Sequence, residues 1–282
     1  MIAVTGATGQ LGQLVINALL KTVAASEIVA LVRDQAKAQA LSDKGVQVRR
    51  GDYNDKAALD RALQGVEKLL LISSSEVGQR TSQHRNVIEA ANAAGVQLIA
   101  YTSLLHADTS PLGLHVEHVE TEKLLAESGI PFALLRNGWY SENYLASAPA
   151  ALAHGVFIGA AGEGKIASAT RADYAAAAAR VISEEGHAGK VYELAGDSAW
   201  TLSDLAALLS EASGKKVVYQ NLSEADFAAA LKGAGLPDEL AEMLADSDIG
   251  ASKGGLFDDS QTLSKLIGRP TTSIADSVND LL

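Results

Sequence analysis

Residues 2–5 form a short apolar run, and Leu11, Leu14, Val15, Ala18 and Leu19 then recur at i, i+3, i+4, i+7 and i+8. The first pattern predicts a buried strand and the second a helix with one apolar face. The same alternation continues through the first half of the chain. Runs at 28–32, 46–49, 69–72, 97–101 and 132–136 predict five further strands. The run at 69–72 has no polar residue, as expected of a parallel strand covered on both faces. Helical patterns lie between the runs, up to Leu63 behind Asp55 as N-cap, at 79–94 before Gly95, and at 117–128 before Gly129 and Pro131. Strands alternating with helices predict an α/β fold, a Rossmann-type doubly wound parallel sheet.

Beyond residue 135 the pattern changes. Short strand-like pieces at 155–158, 165–167 and 191–194 are scattered among helices, one alanine-rich around 175–179 with Asp173 as its expected cap. Thr201 and Ser223 each precede an apolar-faced helix and are expected N-caps. The expectation is a dinucleotide-binding domain over 1–135. A smaller, mostly helical substrate-capping domain over 136–282 then sends segments back to the sheet, and substrate is expected in the cleft beside the cofactor.

Composition narrows the chemistry. No apolar run approaches the ~20 residues of a membrane span, and the chain opens directly on a strand, so a cytoplasmic protein without signal peptide or membrane contact is expected. With 23 basic against 34 acidic side chains, net −11, nucleic acid is not an expected partner. The absence of cysteine excludes disulfides, thiolate metal ligands and a cysteine nucleophile, so redox chemistry needs a bound cofactor. Neither a metal nor a flavin is expected, since there is no second glycine fingerprint and aromatics are 5% of the chain. Self-association into a homo-oligomer is compatible with the sequence.

The chemistry begins where the first strand ends. Gly6, Gly9 and Gly12 are spaced three apart in the turn between strand and helix, which points backbone amides and the positive helix end at an anion. With a second strand at the spacing of a βαβ unit, the expected guest is a dinucleotide pyrophosphate. Arg33 precedes Asp34 at the end of the second strand; a guanidinium there meets a 2′-phosphate, whereas a carboxylate would bind the ribose hydroxyls. NADP(H) is therefore expected ahead of NAD(H), with Lys37 able to add charge. Ser73, Ser74 and Ser75 leave the fourth strand, and Thr102 and Ser103 the fifth, at the edge where open parallel sheets bind ligands. Asp52 and Tyr53 are candidates for the adenine. His84 and Arg85 are expected on the outer face of their helix, without chemistry.

The string TGATGQLG at 5–12 resembles the TGxxGxxG fingerprint of extended and atypical short-chain dehydrogenase/reductases, and RNGWYSENY at 136–144 resembles the NmrA-like branch. LLISSSEVGQ at 70–79 and ASKGGLFDD at 251–259 are similar to the quinone-reducing bacterial members of that branch. The resemblance implies cofactor contacts at Gly6, Ala7, Thr8, Gly9, Gln10, Leu11 and Gly12, at Arg33, and at Ser73, Ser74 and Ser75. It implies more at Asn137, Gly138, Trp139, Tyr140, Ser141 and Glu142, and at Ala169, Thr170, Arg171, Ala172 and Asp173. The wider superfamily places a tyrosine four residues before a lysine, and here Val119 stands before Lys123. A missing phenol suits quinone reduction, whose aromatic product needs little proton assistance, and it also suits the branch's non-catalytic redox sensors. The implied function is NADPH-dependent reduction of a small-molecule quinone by direct hydride transfer. Lys123 is expected to hold the nicotinamide ribose or supply charge, and Tyr140 or Asn143 to donate a hydrogen bond to the quinone oxygen.

Overall fold

The structure, a computed structural model, describes residues 1–282. In chain order the elements are β1 (Ile2–Val4), α1 (Gln10–Leu19), β2 (Ile28–Val32), α2 (Gln39–Ser42), β3 (Gln47–Arg50), α3 (Lys56–Ala62), β4 (Lys68–Leu71), α4 (Arg80–Ala93), β5 (Leu98–Leu104), α5 (His115–Ser128) and β6 (Phe132–Asn137). There follow α6 (Ser141–Leu145), α7 (Ala148–His154), β7 (Val156–Gly159), α8 (Arg171–Ser183), β8 (Val191–Leu194), α9 (Leu202–Ser213), β9 (Val218–Asn221), α10 (Glu224–Gly233), α11 (Asp238–Ser252), α12 (Thr262–Ile267) and α13 (Ile274–Leu281).

A seven-stranded sheet runs in the order β3-β2-β1-β4-β5-β6-β8, with the pairs from β3 through β6 all parallel. Ile2 aligns with Ile28 on one side and Lys68 on the other, so strand order reverses across β1 and β4. The crevice beyond the carboxyl ends of those two strands is where such sheets bind ligands. Two compact units emerge, and each is built from three stretches of chain. The first comprises Met1–Leu104, Val116–Asn137 and Arg171–Tyr192, and the second Leu105–His115, Gly138–Thr170 and Glu193–Leu282.

The first unit is held by an apolar core in which Ala3, Val29, Leu31, Leu69, Leu71, Ile99 and Tyr101 of the strands meet Leu59, Leu63, Val87 and Ala91 of the helices, all buried. Each buried leucine side chain contributes about 1.5–3 kcal/mol by leaving water. The helix caps form as expected: Asp55 accepts from the Ala58 amide at 2.9 Å. Three expectations are corrected. His84 is fully buried, because it shares the inward stripe of α4 with Val87, Ile88 and Ala91, while Arg85 remains exposed. Asp173 is not a cap: α8 begins at Arg171, which puts Asp173 inside the first turn, where it is buried. Thr102 and Ser103 lie within β5 rather than beyond it.

The second unit carries a two-stranded parallel sheet of β7 and β9 among its helices. Thr201 closes a capping box with Asp204, and Ser223 accepts from the Asp226 amide at 3.2 Å. The piece at 165–167 is reduced to an isolated bridge between Ile166 and Trp200.

Candidate active site

The turn after β1 is shaped by backbone crowding. Gly6 has φ +57°, a left-handed conformation that favours glycine, and its carbonyl accepts from the Gly9 amide at 2.9 Å. A Cβ at Gly12 would fall 2.3 Å from the Gly6 oxygen and 2.8 Å from the Ala7 Cα, so only glycine lets α1 start this close to the turn. No side chain caps the N-terminus of α1, and no acidic residue occupies its first turn. The amides and positive end of that helix thus stay available, and the residues present fit a pyrophosphate. Gln13 Nε2 fixes the loop by donating to the Thr8 carbonyl at 2.7 Å.

Around the cradle the expected contacts divide into free and committed groups. Arg33 is exposed, its side chain 68% accessible, with Nη1 2.7 Å from Glu76 Oε1. Glu76 Oε2 in turn accepts from the buried Gln83 Nε2 at 2.7 Å. Asp34 caps its own turn by accepting from the Ala36 amide at 3.0 Å, which leaves the guanidinium as the strand-end charge. The Tyr53 hydroxyl lies 2.6 Å from Thr5 Oγ1 and 2.7 Å from the Ile72 carbonyl, and burial raises its pKa, so it serves as a strut behind the turn.

The serine loop after β4 is pinned from beneath. The Ser73 amide donates to Thr102 Oγ1 at 2.8 Å, and the Ser74 amide donates to His84 Nε2 at 2.9 Å. Thr121 gives its hydroxyl proton to the Glu117 carbonyl at 2.8 Å, so His84 Nδ1, 2.9 Å away, is the donor to Thr121 Oγ1. Both His84 nitrogens are thereby used in the neutral form. Burial, aided by the Arg80 charge, pushes its pKa down to about 3. Burial does the same to His118, which meets the Tyr101 hydroxyl at 2.7 Å and has Arg80 as its neighbour. Arg80 also donates from Nε to the Ser74 carbonyl, closing the loop. Ser75 is exposed.

On α5, Lys123 is exposed and Val119 occupies the position one turn earlier. The neighbour of Lys123, Glu122, with a side chain 12% accessible, grips the buried Arg136 at 2.7 and 3.0 Å and accepts from Ser103 Oγ at 2.6 Å. That two-pronged pair fixes the end of β6. Asn137 is the next residue, 5% exposed, and its Oδ1 has no hydrogen-bond partner, an acceptor free for a ligand donor.

Within the second unit two of the implied contact segments lie together. The Ser141 amide donates to the Ala169 carbonyl at 3.0 Å, and the Ala169 amide to the Trp139 carbonyl at 3.2 Å. Ser141 Oγ and Ser168 Oγ are 2.8 Å apart, and Trp200 Nε1 donates to the latter at 3.1 Å. Tyr140 and Glu142 are half-buried on either side of Ser141. Arg171, Ala172 and Asp173 belong to the first unit, Ala169 and Thr170 to the second. The same holds for the candidates for substrate: Lys123 is in the first unit, and Tyr140 and Asn143 are in the second.

Asn143 lines a cavity wholly inside the second unit, together with Trp139, Tyr144, Phe157, Phe227 and Asp248. Asp248 is buried; its Oδ2 accepts from the Ala160 amide at 2.8 Å and its carboxyl also bonds Tyr144. Burial raises its pKa to about 6 against those two hydrogen bonds. Sequence reasoning missed Asp248, Glu76 and the Glu122–Arg136 pair. No cluster of three or more His, Cys, Asp or Glu side chains is arranged to hold a metal ion, and no helix is long and apolar enough to cross a membrane.

Comparison with known proteins adds to this geometry. Quinone oxidoreductase 2 of Escherichia coli K12 is 79% identical over 281 residues, covering 100% of this chain and 98% of that protein. The crystal structure of the E. coli NADPH-dependent quinone oxidoreductase complexed with NADPH superimposes with a TM-score of 0.98, covering 100% of this chain and 99% of that one. Citrobacter sp. triphenylmethane reductase complexed with NADP(H) is 43% identical, with a TM-score of 0.96 over 100% of both chains. The model of the NmrA-like family matches residues 1–273, and with a glycine cradle, a mostly parallel Rossmann-like sheet and full-length relatives in agreement, the chain belongs to the NmrA-like family.

Proposed function

We propose that this chain is an NADPH-dependent quinone reductase of the cytoplasm, working by direct hydride transfer. The observation that carries the reading is the 79% identity, along the full chain, to an enzyme of that name. The uncapped, glycine-walled start of α1 supports it from geometry. When bound, a reduced nicotinamide supplies the hydride that, with one proton, converts a quinone to its hydroquinone.

The chain's own residues hold and orient. The Gly6–Gly12 turn takes the pyrophosphate with backbone amides, which a helix dipole strengthens. Arg33 takes the 2′-phosphate, exchanging the Glu76 carboxylate for a more highly charged partner. The serine loop, buttressed by His84 and Thr102, together with Asn137 and the segments 138–142 and 169–173, forms the remaining cofactor contacts. The buried Asn137 Oδ1 suits an amide or hydroxyl donor. Lys123, exposed on α5, reaches the nicotinamide ribose, and Tyr140 or Asn143 donates to the quinone oxygen as charge develops there. With valine at 119, no tyrosine one turn before Lys123 supplies the proton, which is drawn from water.

The test is loss of the NADPH near-ultraviolet absorbance when a simple quinone is added to the purified protein. Turnover supports the reductase. Tight binding of NADP⁺ without turnover across several quinones contradicts it and favours a redox sensor.

A further inference from the structure

Helix α11 places Asp248 on its inward face, in line with Ala241 and Ala245 and buried with them. An acid on an apolar stripe costs stability unless it is paired, and no basic side chain lines the cavity it faces. What meets Asp248 is neutral. The Ala160 amide beyond β7 donates at 2.8 Å, Tyr144 of α6 bonds it, Tyr219 of β9 stands near, and α10 contributes only Phe227 and Leu231. Burial holds both phenols uncharged, with Tyr219 pushed up to about 12 and Tyr144 raised well above its ordinary value. Asp246, on the same helix, is occupied by the Gly113 amide at 2.7 Å. Asp248 is thus the group facing this cavity that changes charge near neutral pH.

The walls are unusual for this chain. Four of the ten lining residues, Trp139, Tyr144, Phe157 and Phe227, are aromatic, in a protein with 5% aromatics overall. Ile158, Leu231 and Leu244 complete an apolar slot of about 50 Å³, enough for the leading edge of one ring. Flat, weakly polar walls favour a planar apolar guest, and offset or edge-on ring contacts add to the burial.

We propose that this cavity seats the ring edge of a neutral quinone and that the Asp248 carboxylate turns anionic quinones away. The inference rests on the quinone-reductase reading and adds the class of substrate to it. A fixed negative charge in a low-dielectric wall repels a second one strongly, whereas a neutral carbonyl meets only the Tyr144, Asn143 and Ser147 dipoles. Protonating Asp248 removes the repulsion, so selectivity fades as pH falls through about 6.

The experiment compares a neutral naphthoquinone with its sulfonate. Binding to the protein saturated with NADP⁺ is read from quenching of Trp139 emission against a Trp139→Phe control, and KM is read in turnover with NADPH. At about pH 8 the sulfonate binds about tenfold or more weaker, and the gap narrows toward about pH 5. Asp248→Asn, which keeps an oxygen for the Ala160 amide, closes the gap between the two quinones at the higher pH. Leu231→Trp, a half-buried position filled with a larger side chain, raises KM for the quinone and not for NADPH. If wild type turns over quinone but Asp248→Asn keeps the full gap, or Leu231→Trp leaves quinone KM unchanged, the cavity assignment falls and the reductase reading survives. If no quinone oxidises NADPH, both fall.

Discussion

Both units bury a titratable group near the proposed chemistry, and they respond to acid in opposite senses. In the first unit, His84 and His118 are held neutral, each with its pKa lowered to about 3 from the usual 6.5. The unfolded chain then binds more protons than the folded one between those values, so the stability these residues allow is complete above about 6.5 and is lost as pH falls toward 3. In the second unit, Asp248 has its pKa raised to about 6 from 3.8. Here the folded state binds the extra proton, so the burial cost is full above 6 and vanishes as pH falls toward 3.8. The lesson concerns purpose as well as sign. The histidines are satisfied as acceptors and donors under the serine loop, which is a structural use of neutrality, whereas Asp248 keeps a costly charge at a cavity wall.

The largest expected effect follows directly. Lowering pH from neutral to about 4 should cost the first unit roughly 3 kcal/mol per buried histidine, on the order of 6 kcal/mol together. Hydrogen exchange resolved by segment checks it: amides of α4 and α5 should lose protection well before those of α11. Simultaneous loss in both units would break the comparison. Next, Arg136→Ala should leave the largely covered Glu122 without its cation and lower stability in urea by about 3 kcal/mol. Gly12→Ala should weaken NADPH binding about a hundredfold by calorimetry, since the new Cβ would meet the Gly6 carbonyl and push α1 away from the turn. Arg33→Glu should raise KM for NADPH about tenfold with little change for NADH. The smallest effect sharpens the contrast in sign: Asp248→Asn should stabilise the protein by about 1 kcal/mol at about pH 8 and by nothing near pH 4.

The parts of the molecule legible in its sequence were those where one local rule dominates. Gly6 and Gly12 are required by a positive φ and by a 2.3 Å approach, so the turn announces itself in residue type. The strand and helix alternation, and the caps at Asp55, Thr201 and Ser223, follow from patterns a few residues long. By polarity alone His84 reads as an outer-face residue, whereas its spacing to Val87, Ile88 and Ala91 marks the inward stripe. Asp248 carried the same signal beside Ala241 and Ala245. The alanine run alone makes Asp173 read as a cap, but α8 starts earlier, at Arg171. The Glu122–Arg136 grip and the Arg33–Glu76 pair join elements 14 and 43 residues apart, and no local pattern encodes them.

Direct hydride transfer to a quinone is the central claim, and an anaerobic single turnover tests it most directly. Flavin-free protein is loaded with NADPH carrying deuterium at the transferable nicotinamide position and is mixed with a neutral quinone. The account predicts complete oxidation of the dinucleotide without any added flavin, slowed by a primary isotope effect relative to the unlabelled cofactor. Oxidation that appears only after flavin is supplied would contradict it.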